Sequence, residues 1–173
     1  MKKIILSILI ASTIYAGEVY GTFNTKLPDL KMPDTQLSFD LIKGYQDYKI
    51  IATHYRTDKK ELRYILANPI GYNALKAKQA VMPEGSIIVK IGWSVKKMPR
   101  FPTALEVDTL QRVEYMIKDS KRFNANGDHW GYARFVKNKG SYKSWDKGIK
   151  GCINCHSSVK DTDYLFTKMQ ESF

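Results

Sequence analysis

Apolar and polar positions alternate along much of the chain after residue 45, and this alternation predicts β-strands. The clearest strand is Ser86–Val95, which follows a Glu84-Gly85 turn and is rich in β-branched residues. Four further segments are predicted to be strands: Lys49–Tyr55, Leu62–Leu66, Arg112–Lys118 and Trp130–Lys137. This pattern argues against an all-helical bundle.

Helical signals are short and fall beside these strands. Asp34 or Thr35 is expected to cap a helix that runs to about Tyr45. Asn68-Pro69 is a cap followed by a first-turn proline, so a short helix is predicted over Ile70–Ala80.

The remaining segments complete the predicted fold. Residues 96–109 contain two prolines and are expected to form a loop, while the polar residues 119–128 join two strands and can hold a short helix. Residues 150–158 are predicted to be helical. The fold class that follows is α+β, with an antiparallel β-sheet core, short flanking helices and one helix near the C-terminus.

The first residues have the composition of an export signal. Two lysines precede the apolar run Ile4–Ile14, and the small residues Ala16 and Gly17 follow it. Because this run is short for a retained membrane anchor, residues 1–16 are predicted to be a secretory signal peptide and the protein to be periplasmic. Residues 17–44 are then a lead-in with one helix, and residues 45–173 complete a single domain.

The chain of 173 residues is basic, with 28 Lys and Arg against 17 Asp and Glu and a formal net charge of +11. These basic residues are spread along the chain, so nucleic-acid binding is not expected. The positive surface suits an acidic redox partner or an anionic membrane face, although it can equally be an ordinary solvated surface.

The most specific motif is Cys152-Ile153-Asn154-Cys155-His156, which contains both cysteines of the chain. Cysteines three apart lie on one face of a helical turn, so both thiols can reach one edge of a haem while the histidine ligates its iron. The motif therefore predicts one covalently bound haem c. A structural disulfide, a thioredoxin-like redox pair and half of a zinc site are the alternatives.

Several segments resemble the cytochrome P-460 family, which includes the β-rich cytochrome c′-beta. They are Glu84–Lys90, Lys118–Phe123 followed by Trp130, Cys155-His156 followed by Thr162–Thr167, and more faintly Tyr45–Tyr48 with Arg63 and Asn68-Pro69. The resemblance covers about residues 45 to 167. It implies a mixed helix-and-sheet fold, a homodimer, and oxidation of hydroxylamine at an open iron position.

The resemblance also implies roles for individual residues. In cytochrome P-460 a lysine is covalently joined to the haem ring edge, and the matching position is Lys90. The distal arginine of the family matches Arg63 and its distal acid matches Glu114. Glu114, with a raised pKa, would accept protons, and Arg63 would orient it. Electrons would leave to a periplasmic redox partner, and the product would be nitric oxide or nitrous oxide.

When the resemblance is left aside, Lys90, Glu114 and Arg63 also have ordinary structural explanations. Alternation places Lys90 on the strand face of Ile88 and Gly92, where it could be a solvated edge lysine. Glu114 could be a solvent-facing strand residue, and Arg63 could form a surface ion pair.

Two other functions remain open on the sequence. One is a nitric oxide binding or detoxifying protein of the cytochrome c′-beta kind, with no cross-link and an apolar distal pocket that an aromatic residue such as Phe101 could cap. The other is an electron carrier, for which Met98 or Met116 could be the sixth iron ligand. His54 and His129 are expected to be surface or loop histidines rather than ligands.

Overall fold

The computed structural model describes residues 29–170, apart from the side chain of Asn138. The predicted signal peptide, residues 1–16, lies outside the described residues. Six antiparallel strands form a sheet in which the spatial order follows the chain order. They are β1 Lys49–Arg56, β2 Glu61–Ala67, β3 Ile87–Met98, β4 Phe101–Lys118, β5 Trp130–Asn138 and β6 Ser141–Ser144. The predicted α+β class is therefore confirmed.

The β3–β4 hairpin is much longer than the sequence suggested, and the predicted loop over residues 96–109 is wrong. The segment 103–109 alternates apolar and β-branched residues with polar ones, which suits a strand. Lys97 pairs with Leu105, whereas Met98 pairs with Phe101. This irregularity leaves residues 102–104 outside the β3 register, where a proline is tolerated.

The helices are short. Helix α1, Pro69–Lys76, begins as predicted, because the side chain of Asn68 accepts a hydrogen bond from the Gly71 backbone N–H at 2.9 Å. Helix α2, Lys150–His156, continues into a 3-10 segment, Ser157–Thr162. Within residues 29–170, no helix is long and apolar enough to cross a membrane.

The predicted helix from Asp34 or Thr35 to Tyr45 is wrong. This segment forms a turn closed by a Lys31–Ser38 bridge, followed by the 3-10 turns Asp40–Ile42 and Tyr45–Asp47. Its buried apolar side chains do not follow a helical repeat; they are Met32, Leu37, Phe39, Ile42 and Tyr45. The Asp34 carboxylate accepts from the Ile149 backbone N–H at 2.7 Å, so it tethers the approach to α2 instead of capping a helix.

The N-terminal segment covers one face of the sheet. Phe39 packs edge-on against Phe135 of β5 at 5.0 Å between ring centroids, and the Tyr115 hydroxyl donates to the Ser38 carbonyl at 2.7 Å. Val89 and Val113 are fully buried in the same layer. Because successive strand residues point to opposite faces, the alternate positions of β2 to β5 face the other side. That other face contains the candidate site.

Gly131 in β5 lies against the ring of Phe123, and a side chain at this position has no space. A Cβ atom there would lie 2.2 Å from Phe123 Cε2 and 2.4 Å from Cζ. We expect Gly131→Ala to lower the free energy of unfolding by about 2 kcal/mol, because the buried ring must move. Chemical denaturation measures this loss.

The same substitution in a Phe123→Leu background tests the cause. Leucine lacks the two ring atoms that approach most closely, so the additional loss from Gly131→Ala should shrink clearly in this double-mutant cycle. An equal loss in both backgrounds would contradict the ring contact as its origin.

Candidate functional site

Helix α2 places both cysteines beside a large cavity. Cys152 and Cys155 are one helical turn apart, both thiols are free, and both line a cavity of about 700 Å³. This volume lies in the range typical of cofactor and ligand sites. The helical spacing expected from the motif is therefore present, and the two sulfur atoms border one cavity.

His156, the last residue of α2, lines the same cavity. Its Nδ1 lies 2.7 Å from the carbonyl oxygen of Tyr164, and the rings of Tyr132 and Phe166 each lie 5.1 Å from its ring. In the tautomer that donates this hydrogen bond, Nδ1 carries the proton and Nε2 keeps its lone pair for a metal. Burial lowers the pKa of His156, and the hydrogen bond to Tyr164 opposes this effect only in part.

Cross-strand pairing brings together two of the predicted site residues of the sheet, Lys90 and Glu114. Ile65, Lys90, Glu114 and Arg134 are direct partners on β2, β3, β4 and β5, so their side chains form one row on the cavity face. The register agrees with the predicted alternation of each residue within its own strand, and it adds that Lys90 and Glu114 share one face. Lys90 Nζ forms an ion pair with Glu114 Oε2.

Glu114 lies among three cations. Its Oε1 is 3.1 Å from Arg134 Nε and 3.5 Å from Arg112 Nε, in addition to the contact with Lys90. Burial alone would raise the pKa of Glu114, but the positive charges of Lys90, Arg134 and Arg112 outweigh it and lower the pKa. The prediction that the pKa of Glu114 is raised is therefore wrong.

Arg63 belongs to a neighbouring ion-pair network. It pairs with Glu61 of the same strand, and Glu61 Oε1 also accepts from Arg112 at 2.6 Å. Glu61 reaches across β3 above Gly92, where a Cβ atom would lie 2.9 Å from its carboxyl carbon. Arg63 lines the cavity, but it contacts Glu61; Arg112 and Arg134 are the arginines that contact Glu114.

Several residues of the site were not found from the sequence. Arg112 lies two positions before Glu114 and therefore on the same strand face, a signal that the sequence contains. Arg134 lies 3.9 Å from the ring centroid of Trp145, a cavity residue just after β6. No sequence pattern indicates that contact.

The structure also places four other residues that the sequence singled out, namely His54, Phe101, Met98 and Met116. His54 is in β1 opposite Arg63 and lines the cavity, where burial and then the charges of Arg63 and Lys90 lower its pKa. Phe101 is at the hairpin tip, is 60% exposed and does not line this cavity, so it does not cap it. Met116 lines the cavity, whereas Met98 does not.

The chemistry of the cavity suits a haem. Among the described residues, seven Lys and Arg side chains line it against one carboxylate, that of Glu114, which matches a cofactor carrying two carboxylates. The Nε atoms of Arg112 and Arg134 are buried within ion-pairing distance of Glu114, yet they lack a hydrogen bond of good geometry. Polar atoms of this kind can hydrogen-bond to a bound group.

A cavity that combines a Cys-x-x-Cys-His helix, an available imidazole and excess positive charge is typical of a haem protein. The chain matches the sequence model of the cytochrome P460 family over residues 42–167 and belongs to this family of haem proteins. A search of curated proteins gives no match.

Proposed function

We propose that this chain is an exported mono-haem c-type cytochrome that oxidises hydroxylamine to nitric oxide or nitrous oxide. The observation that carries the proposal is that one cavity is lined both by α2, with Cys152, Cys155 and His156, and by the Lys90–Glu114 pair. Cys152 and Cys155 would hold the haem through thioether bonds, and His156 would ligate its iron through Nε2.

When bound, the haem would supply an iron position open to substrate and a route for electrons. The chain's own residues would bind the substrate and receive its protons. Oxidation of one hydroxylamine to nitric oxide releases three electrons and three protons, so a proton acceptor and an electron acceptor are both needed. Glu114 is the carboxylate that lines the cavity, and a second exported redox protein would take the electrons.

The proposed attachment of Lys90 to the ring edge would change Glu114. Forming this C–N bond removes one N–H from Lys90 and one C–H from the ring, and it requires a two-electron oxidant such as a peroxide. An arylated amine no longer carries the ammonium charge that contributes most, among the charged neighbours, to lowering the pKa of Glu114. The effect of burial, which raises the pKa of Glu114, would then be less opposed. The pKa of Glu114 would rise towards a value suited to a general base.

The charged sheet face favours hydroxylamine oxidation over the alternative of a nitric oxide binding protein of the cytochrome c′-beta kind. That alternative calls for an apolar distal pocket. Here Arg63, Lys90, Arg112, Glu114 and Arg134 all line the cavity. A polar substrate that loses protons matches such a surface, whereas a small uncharged diatomic ligand gains little from it.

We also propose that the protein forms a homodimer, as the family resemblance implies. The long hairpin exposes Phe101, Leu105 and Val107, which are 60%, 55% and 41% exposed. Leu105 and Val107 share one strand face, and Phe101 lies at the hairpin tip, so the exposed end of the hairpin offers apolar surface for association.

The attachment of Lys90 is tested by digesting the purified protein and weighing the haem peptides. We expect a haem peptide that contains both the Cys152–Cys155 segment and the Lys90 segment. We also expect the main absorption band of the reduced protein to be strongly red-shifted, because a nitrogen substituent alters the ring electronically.

The matched control is Lys90→Leu. Its haem peptide should contain the Cys152–Cys155 segment alone, and its reduced spectrum should be that of an ordinary c-type cytochrome. A wild-type haem peptide without the Lys90 segment, together with an ordinary spectrum, would reject the cross-link and favour the nitric oxide binding alternative.

A further inference from the structure

Lys118 and Asp163 form a buried ion pair next to the Tyr164 carbonyl that contacts His156. The proposed function does not use this pair. Lys118, at the end of β4, is 5% exposed, and Asp163, which follows the 3-10 segment after α2, is 9% exposed. Lys118 Nζ lies 2.7 Å from Asp163 Oδ1. The two residues belong to two of the segments that carry the family resemblance, and folding brings them together.

Asp163 is fixed at three oxygen atoms by three different parts of the fold. Oδ1 accepts from Lys118, Oδ2 accepts from the Met82 backbone N–H at 2.8 Å, and its carbonyl oxygen accepts from Trp130 Nε1 at 3.1 Å. Because these donors come from β4, the segment before β3 and β5, they fix both the side chain and the backbone of Asp163.

The backbone at this point adopts a conformation that L-amino acids normally avoid. Asp163 has φ 50° and Tyr164 has φ 65°, so two consecutive non-glycine residues are left-handed. Such a conformation costs free energy and persists only where surrounding contacts hold it. It places the Tyr164 carbonyl 2.7 Å from His156 Nδ1.

Lys118 also reaches His156 by a second route. Its Nζ donates to the Asp128 carbonyl at 3.1 Å, and the Asp128 carboxylate accepts from the Tyr132 hydroxyl at 2.7 Å. The Tyr132 ring then lies 5.1 Å from the imidazole of His156. One ammonium group therefore supports both the hydrogen-bond acceptor of the imidazole and an aromatic ring beside it.

We propose that Lys118 and Asp163 are positioning residues for the iron ligand. By holding the left-handed Asp163-Tyr164 turn, they fix the hydrogen bond from His156 Nδ1 to the Tyr164 carbonyl. A hydrogen bond at this nitrogen makes a metal-bound imidazole a stronger electron donor, and so favours ferric over ferrous iron. The inference rests on the proposed ligation of haem by His156, and it does not depend on hydroxylamine oxidation or on Lys90.

The experiment compares Asp163→Asn, Lys118→Met and the double variant Lys118→Met/Asp163→Asn, each purified with its haem. We expect the ratio of ferrous to ferric affinity for the imidazole to rise about tenfold, which corresponds to a midpoint potential about 59 mV higher for one electron. The iron–histidine stretching band of the ferrous protein should move to lower frequency in the same variants.

The double variant Lys118→Met/Asp163→Asn distinguishes positioning of His156 from a general contribution to the stability of the fold. Removing both charges together avoids an unpaired buried ion, so stability should recover relative to the single variants. The potential and the vibrational band should nevertheless stay shifted. Lys118→Arg, which keeps the positive charge, should lie closer to the wild type than Lys118→Met does in both measurements.

Val89→Ala is the control for general destabilisation, because Val89 is fully buried on the sheet face away from the cavity. It should lower stability and leave the potential and the band unchanged. Wild-type potentials in the Lys118 and Asp163 variants, or equal shifts in Val89→Ala, would overturn the inference. A wild-type protein without haem would instead overturn the proposed function.

Discussion

Glu114→Gln is expected to lower the turnover number for hydroxylamine by about a hundredfold or more, since a positioned general base typically contributes 10²–10⁴-fold. Glutamine has almost the same shape, but its amide cannot take up a proton. Glu114 is the one carboxylate among the described residues that line the cavity, so no other acid there can replace it. The measurement is steady-state oxidation of hydroxylamine with an artificial electron acceptor, per mole of haem.

The same substitution also removes the anion that balances three cations. Lys90, Arg112 and Arg134 all lie within ion-pairing distance of Glu114. Leaving partly buried charged groups without their partner costs about 1–3 kcal/mol, so the variant should unfold at a lower denaturant concentration. Turnover is therefore compared under conditions in which both proteins are fully folded, so that this loss of stability does not account for a lower rate.

Glu106→Gln is the matched control. Glu106 lies on the same strand, β4, and pairs at 3.6 Å with Lys96 near the exposed end of the hairpin. An exposed pair of this kind contributes little to stability, and the residue does not line the cavity. Turnover should therefore be unchanged in this variant. If Glu114→Gln turns over at the wild-type rate, the carboxylate is not the proton acceptor.

Several parts of the fold and site follow from local sequence patterns and were predicted correctly. Strand alternation placed Lys90 and Glu114 on definite faces, and the Asn68-Pro69 pair marked the start of α1. The Cys-x-x-Cys-His motif indicated a helix with both thiols on one side, and α2 has this arrangement. Each of these features depends on residues close together in the chain.

Most of the features that were missed depend on register between distant segments, whereas the strand over 103–109 and Arg112 were missed despite a local alternation. Lys90 and Glu114 become partners only because β3 and β4 align residue by residue across a long hairpin. Glu61 reaches Arg112 because a glycine happens to lie between them in β3. The predicted N-terminal helix failed for a related reason: the side chains of this segment are buried against a sheet that forms later in the chain.

The substitution of both Cys152 and Cys155 by alanine is expected to abolish covalent attachment of haem through α2. Thioether bonds survive denaturation and acid extraction, whereas coordination by His156 alone is reversible, so the test is haem remaining on the denatured chain. Any haem that still remains must be held elsewhere, and the proposed link predicts that adding Lys90→Leu removes it.

Ser158→Ala is the control for these cysteine variants, because it changes a residue just after α2 whose hydroxyl donates only to the Cys155 carbonyl, at 2.8 Å. It should keep the full amount of covalent haem. Losing the haem should also lower the melting temperature of the cysteine variants, since the packing of the ring and its coordination by His156 would be contacts made only in the folded state. Undiminished covalent haem in the variant that lacks both cysteines and Lys90 would show that neither α2 nor β3 attaches the cofactor.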